Sequence, residues 1–246
     1  MRIYIGIDDT DNIESRGTGF RARELGTQLN DEGLGKLIGI TRHQLLFDRR
    51  IPYTSHNSSA CLEMEAENSN KLHQYCANYL IQNSADGSDA GLCVATYEMI
   101  GSEILQWGER AKKEIITQEE ARELALTAGV FLEGYTGTKG GIIGSLAAVG
   151  LRKGGDDGRF LWIPGMREME GVFDAEFIRN KTGIAEIRSV RGDLITGDEK
   201  VFLGSWWRPV MKNHKIVLFV EPNKLCQDES CKWQVVSKDY IKSISN

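Results

Sequence analysis

The sequence predicts an α+β protein, in which short strands and amphipathic helices follow one another in units of modest size. Three observations carry this. Ile3, Ile5 and Ile7 alternate with Tyr4 and Gly6, the period-two signature of a strand. Ala22, Leu25, Gly26 and Leu29 recur at helical spacing on one face. Thr117-Gln118-Glu119-Glu120 is a capping box, after which Ala121, Leu124, Ala125 and Ala128 share a face.

Taken in order, the opening strand runs into the acidic turn Asp8-Asp9-Thr10-Asp11, then Ser15-Arg16-Gly17-Thr18-Gly19, then the first helix. KLIGITR (36–42) and SACLEME (59–65) read as strands, with the polar, proline-containing FDRRIPYTSHNSS between them. Leu72, Cys76, Tyr79 and Leu80 mark a second amphipathic helix, and GLCVATY (91–97) another strand. Ile104, Ala111 and Ile115 suggest a helix ending near Thr117, and a domain boundary is placed there, giving residues 1–116 and 117–246. The second part opens on the glycine-rich EGYTGTKGGIIGSLAAVG (133–150). Strand-like runs come after it at FLWIP, IAEIRSV, KVFLG, KIVLFVE and KWQVV.

The totals set bounds. A chain of 246 residues with 41% hydrophobic and 26% charged residues has ordinary globular composition. Its net charge of -5 supplies no global attraction to nucleic acid, though a local basic patch remains compatible with RNA. Five cysteines at irregular spacing do not form a disulfide framework. No apolar run reaches the roughly 20 residues of a membrane helix, and the start lacks the features of a signal peptide. A cytoplasmic protein with no membrane partner is expected.

Asp8, Asp9 and Asp11 crowd three carboxylates at a strand end, where like charges repel. One reading is a solvated turn, since Asp favours turns and helix caps. The other is a magnesium site: Mg²⁺ takes oxygen ligands, usually one or two carboxylates, with water and phosphates completing the octahedron. The end of a strand is also where ligands bind in open α/β sheets. Asp9-Thr10-Asp11 has the Asp-x-Asp spacing of aspartyl-phosphate phosphatases as well, but no later strand ends in a matching Lys or acidic pair.

The glycines are equally two-sided. Gly134, Gly137, Gly140, Gly141 and Gly144 make a flexible loop and a tight helix packing, or the amides entering the helix 142–149 cradle a phosphate. Lys139 is followed by Gly140 rather than Ser or Thr, so this is not a Walker loop.

GIDDTD at the chain start, IPY after a strand, and GGIIGSLAAVG together resemble the archaeal tRNA(Ile) agmatinylcytidine synthetase family. The resemblance extends over roughly residues 1–165. It implies a kinase-like, ATP-using α/β domain followed by a ferredoxin-like α+β domain that carries the glycine-rich loop. It also implies ATP and Mg²⁺ as cofactors, and an activity of phosphoryl-transfer or ligase type. In the family, ATP phosphorylates the cytidine carbonyl and agmatine displaces the phosphate. The acidic motif serves the metal-bound nucleotide, which carries over to Asp8, Asp9 and Asp11 as catalytic and metal residues. A phosphorylated threonine of the family aligns with Thr18. Arg16, Lys139, Gly140, Gly141, Gly144 and Ser145 are the expected nucleotide contacts. The family enzyme is longer, with an OB-fold and a zinc ribbon that hold tRNA; this chain, ending at Asn246, reads as a short form without them. After IPY the family has a basic loop where this chain has Thr54-Ser55-His56-Asn57-Ser58-Ser59. The expected acceptor is therefore a small molecule or nucleoside-like group. A non-catalytic nucleotide-binding regulator, or a tRNA-modifying enzyme working with a partner chain, are the alternatives.

Lesser candidates have structural readings. Cys226 and Cys231 are a lone C-x4-C pair near His214, short of the four ligands of structural zinc. His43 is expected to satisfy a local hydrogen bond, while His56 is a site candidate. Arg42, Arg49 and Arg50 are phosphate ligands or solvated surface, and Trp206-Trp207 packing or a stacking platform.

Overall fold

The structure is a computed structural model and describes residues 1–52, 54, 56–225 and 230–245. The chain divides into two compact units, Met1–Gly154 and Gly155–Asn246. The sequence placed the boundary at 116 instead. The difference arises because the capping-box helix and the glycine-rich segment complete the first unit's core.

In the first unit the elements are β1 (Arg2–Asp8), α1 (Thr18–Asp31), β2 (Lys36–Gln44), β3 (Ser58–Glu65), α2 (Ser69–Asn83) and β4 (Gly91–Thr96). They continue as α3 (Ser102–Ala111), α4 (Gln118–Ala128), β5 (Phe131–Gly134) and α5 (Ile142–Gly154). The strands form an antiparallel sheet in the order β5-β4-β1-β3-β2. Strand ends in such a sheet are not those of the open parallel α/β sheet expected at the acidic turn. Here the end of β1 lies beside the start of β4, with Asp8 opposite Gly91.

Alternation along β1 feeds two layers. On the first face α1 packs on β2 and β3, close enough that Gly26 faces Leu37, Ile40 and Leu62. On the other face Tyr4, Cys61, Cys93 and Ala95 join a core with α3, α4 and α5. Every residue of α5 from Ile142 to Arg152 is buried except Ile143. A helix apolar on all sides belongs in the middle of a core, and this one is covered by the sheet, α3 and α4.

Glycines set how close α5 comes. A Cβ on Gly6 would overlap the Ser145 carbonyl, one on Gly91 the Gly141 backbone, and one on Gly150 the Ile104 carbonyl. The helix expected to run on to Thr117 stops at Ala111; the Thr117–Glu120 capping box then opens α4, both of its bonds formed.

The second unit contains β6 (Arg159–Trp162), β7 (Gly171–Asp174), α6 (Ala175–Thr182), β8 (Glu186–Ser189), β9 (Lys200–Leu203), β10 (Val210–Lys212), β11 (Lys215–Pro222), β12 (Trp233–Val235) and α7 (Lys238–Ile244). β11 is its hub, paired with β10, β12 and, in parallel, β8. Phe160, Ile178, Leu203, Trp207 and Leu218 lie in its core. Among the described residues no helix is long and apolar enough to cross a membrane.

The glycine contacts separate two substitutions at either end of the packing of α5. Gly6→Ala meets backbone and should cost about 3 kcal/mol or more. Gly154→Ala, at the open end of α5, meets nothing and should be neutral or stabilising by about 0.5 kcal/mol. Urea unfolding of the two variants checks the contrast.

Candidate functional site

The acidic turn is built by β1 and tied down by α1 and by the segment before β4. Asp8 lies on the face of Tyr4 and Gly6, toward α5. Its carboxylate sits over the first turn of α5, where any Cβ on Gly144 would overlap Asp8 Oδ2. Asp9 then takes the left-handed conformation, φ 50°, which Asp tolerates better than most residues. The Thr10 carbonyl accepts from the Ala85 amide (3.0 Å) and Asn12 Nδ2 donates to the Asp86 carbonyl (3.0 Å), pinning the turn to the segment before β4.

Asp11 turns back to α1. Its Oδ1 accepts from the Thr18 amide at 3.0 Å and from Thr18 Oγ1 at 2.7 Å, while Thr54 Oγ1 donates to Oδ2 at 3.2 Å. The N-cap position itself is Gly17, which offers no side chain, so Asp11 caps the helix from seven residues upstream of Thr18. Thr18 is the first helical residue rather than the N-cap that its sequence position suggested. Its buried hydroxyl also accepts from the Thr10 amide at 3.2 Å.

The glycine-rich loop is fastened to the same place. Tyr135 N donates to the Ala90 carbonyl (2.8 Å), Ala90 N to Thr136 Oγ1 (2.7 Å), and Gly141 N to the Asp89 carbonyl (2.8 Å). The Thr138 amide donates to Asp89 Oδ1, and Gln118 Nε2 at the start of α4 donates to the Thr138 carbonyl at 3.0 Å. Asp89 is thereby held beside the acidic turn.

These segments enclose a cleft of ≈ 230 Å³. It is lined by Asp8, Asp9, Asp11, Thr18, Gly140, Gly141 and Gly144, so seven of the ten expected site residues come together. The other three do not line it. The Arg16 guanidinium lies 4.4 Å from the Phe20 ring, Lys139 pairs with Glu133 at 3.7 Å, and Ser145 is fully buried with Oγ donating to the Ile142 carbonyl. Ser145 is a packing residue of α5. Asp89 and Glu114, which the sequence reading missed, bring the carboxylates in the lining to five; the antiparallel pairing of β1 with β4 brings Asp89 there.

Charge crowding shows in the titration. Burial pushes the Asp8 carboxyl well above the usual range, the Asp9 charge adds to this, and the Asp9 amide opposes it. Asp9 is pushed up to about 6, first by burial, then by the charges of Asp89 and Asp11. Among the described residues no three His, Cys, Asp or Glu side chains are placed to hold a metal ion together, so the Asp8, Asp9 and Asp11 triplet is not a metal site as it stands.

The lesser candidates divide. His56 lines the cleft, whereas His43 is buried with Nε2 2.8 Å from Thr41 Oγ1. Arg50 is paired with Asp48 at 2.8 Å. Trp207 is core, its Nε1 donating to the Met169 carbonyl at 3.1 Å. Cys231 is buried, and Cys226 lies outside the described residues.

Comparison with known proteins points the same way as the geometry. No family model matches the chain. It is 31% identical over 157 residues to an uncharacterized protein of Methanocaldococcus jannaschii, covering 61% of this chain and 50% of that one. It is 29% identical over 154 residues to TiaS of Archaeoglobus fulgidus, a 2-agmatinylcytidine synthetase acting on an isoleucine tRNA, covering 61% of this chain and 36% of TiaS. The chain is similar to TiaS. The crystal structure of TiaS in complex with its isoleucine tRNA and ATP matches with a TM-score of 0.55 and 25% identity, over 61% of this chain and 36% of that one. A complex of TiaS with the same tRNA, AMPCPP and agmatine matches with a TM-score of 0.54 at 25% identity and the same coverage. The chain thus spans half the length of one curated relative and about a third of TiaS.

Two measurements test the geometry. Asp9 binds its proton more tightly folded than unfolded, so that stabilisation is fully present below its ordinary value of 3.8 and is lost as pH rises through about 6. In chelator, the wild type should melt at higher temperature at pH 5 than at pH 7.5, and Asp9→Asn should flatten that slope. Asp11→Ala removes the cap of α1 and should cost about 1–2 kcal/mol by urea unfolding at neutral pH.

Proposed function

We propose that the N-terminal unit binds Mg²⁺-complexed ATP in this cleft and transfers or activates through the terminal phosphoryl group. The observation that carries the reading is the convergence of the acidic turn and the glycine-rich loop on one cleft. The similarity to TiaS, solved with an isoleucine tRNA and ATP, supports ATP as the nucleotide.

The residues suit the ion. Carboxylate oxygens are hard ligands, and Mg²⁺ uses few of them when phosphates supply the rest, so an open set is the appropriate one. Asp9 and Asp89 would hold it, with Asp8 behind them. When bound, the ion supplies positive charge that offsets both the phosphates and the crowded carboxylates.

The chain's own residues do the remaining work. The loop entering α5 lies in the cleft wall at Gly140 and Gly141; the Gly141 amide is engaged by the Asp89 carbonyl at 2.8 Å, so a phosphate would meet the loop at Gly140. Asp11 Oδ1 accepts the Thr18 hydroxyl, so it can take the proton as Thr18 Oγ1 bonds to phosphorus and the bridging phosphoanhydride bond breaks to release ADP. The final acceptor on this reading is a small molecule or nucleoside-like group. A base within RNA is the second reading, favoured by the tRNA in the TiaS complex, with a partner chain holding the RNA.

Calorimetry with Mg²⁺-ATP tests binding: Asp9→Asn and Asp89→Asn should each weaken it at least about tenfold with the fold intact. Wild-type affinity in both variants would end the metal reading. Incubation with labelled ATP should add one phosphate that Thr18→Ala abolishes. Binding without any turnover or label would leave a nucleotide-binding regulator.

A further inference from the structure

Thr18 Oγ1 makes three hydrogen bonds, and together they use every position that an alcohol oxygen has. It donates its one hydrogen to Asp11 Oδ1 at 2.7 Å, since a carboxylate oxygen accepts. Toward Thr10 it is therefore the acceptor, from the amide at 3.2 Å and from the hydroxyl at 3.1 Å. The hydrogen goes to a residue of the cleft wall, while both lone pairs are turned to one that is not in it. Thr10 is 1% exposed and lies outside the lining that holds Asp11 and Thr18. The two Thr10 donors differ in freedom. Its amide belongs to a backbone turn pinned by the bond from the Ala85 amide to the Thr10 carbonyl, whereas its hydroxyl hydrogen turns about a single bond.

Resting on the phosphoryl-transfer reading above, we propose that Thr10 is a positioning residue of that step: its hydroxyl holds Thr18 as a hydrogen donor and restrains it as a nucleophile. Transfer needs a lone pair of Thr18 Oγ1 in line with the terminal phosphorus. That pair becomes the new O–P bond, the hydroxyl proton passes to Asp11 Oδ1, and the bridging P–O bond breaks with its electron pair leaving on ADP. A pair engaged by the Thr10 hydroxyl is not available for the first of these events. Giving up that one bond between neutral groups slows attack about fivefold. The Thr10 amide stays on the other pair and keeps the oxygen in place while it reacts. Thr10 thereby sets how the phosphoryl group is shared between Thr18 and any other acceptor in the cleft.

The test is the initial rate of label transfer from γ-labelled ATP to the full chain at saturating Mg²⁺-ATP, with Thr18→Ala as the control for the site. Thr10→Val keeps the shape and loses the hydroxyl. It should label Thr18 about fivefold faster than the wild type, with unchanged affinity for a non-hydrolysable ATP analogue. Thr10→Ser keeps the donor and should label at the wild-type rate. Thr10→Ala also removes the donor, and it replaces the valine variant if that one does not fold. Label that appears only where the hydroxyl is removed also supports the proposal. A wild-type rate in Thr10→Val with affinity retained overturns it and leaves Thr18 as the acceptor. Slower labelling also overturns it, because a merely structural role loosens the turn and lowers both rate and affinity. ATP bound without label in the wild type and in every Thr10 variant overturns the Thr18 reading itself, and the proposal with it.

Discussion

The close seat of α5 on the sheet is the constraint on which the first unit depends. Ser145 lies against Gly6, Gly141 against Gly91, and Gly150 against the Ile104 carbonyl, with no Cβ between them. This approach brings the first turn of α5 under Asp8 and fixes where the glycine-rich loop can run. Ionisable side chains meet the helix at both ends. Asp8 sits at its N-terminal turn, where the dipole favours an anion. At the other end Arg152 pairs with the buried Glu63, and Lys153 Nζ donates to the Tyr97 and Ile100 carbonyls at 2.7 and 2.6 Å. Cations at a helix C-terminus are favoured for the same reason.

The two ends differ in what balances them. Glu63 has Arg2 as well as Arg152, a paired arrangement that makes its burial tolerable. Asp8 faces Asp9 instead, and Asp9 faces Asp89 and Asp11. Arg42 is the cation whose charge opposes the Asp8 shift, and it does not line the cleft. A fold that neutralises one buried carboxylate so fully, and leaves four others crowded around the end of β1, stores repulsion at one end only. On the proposed reading a cation brought by the ligand relieves it.

Much of this was legible in the sequence because it rests on local rules. The period-two run of β1, the helical spacing of α1 and α2, and the Thr117–Glu120 capping box are each set by neighbours in the chain. Both meanings of the glycine stretch also hold, though at different residues: Gly144 and Gly141 line the cleft and touch Asp8, while Gly150 serves packing alone. What was not legible depends on pairing at a distance. Asp89 reaches the site only through the β1–β4 register. The boundary lies at 154 rather than 116 because α5 fills the core of the first unit. β5, β7 and β10, of three or four residues, were not legible either, whereas β6, β8, β9 and β12 of the same length overlap longer strand-like runs.

Thr18 shows how a local rule can mislead in a useful way. A threonine opening a helix reads as its cap, yet Gly17 holds that position and Asp11 supplies the acceptor. The exchange frees the threonine hydroxyl from capping and places its hydrogen on a carboxylate instead. Capping by Thr18 itself would have turned its oxygen toward the amides of α1, committing its lone pairs to the helix. Capping by Asp11 leaves Thr18 in the cleft wall with a proton acceptor at 2.7 Å, while its oxygen accepts from the Thr10 amide and hydroxyl at 3.2 and 3.1 Å. The residue that stabilises the helix is thus also, on the proposed reading, the one that takes the hydroxyl proton, and both bonds are made to a single oxygen, Asp11 Oδ1.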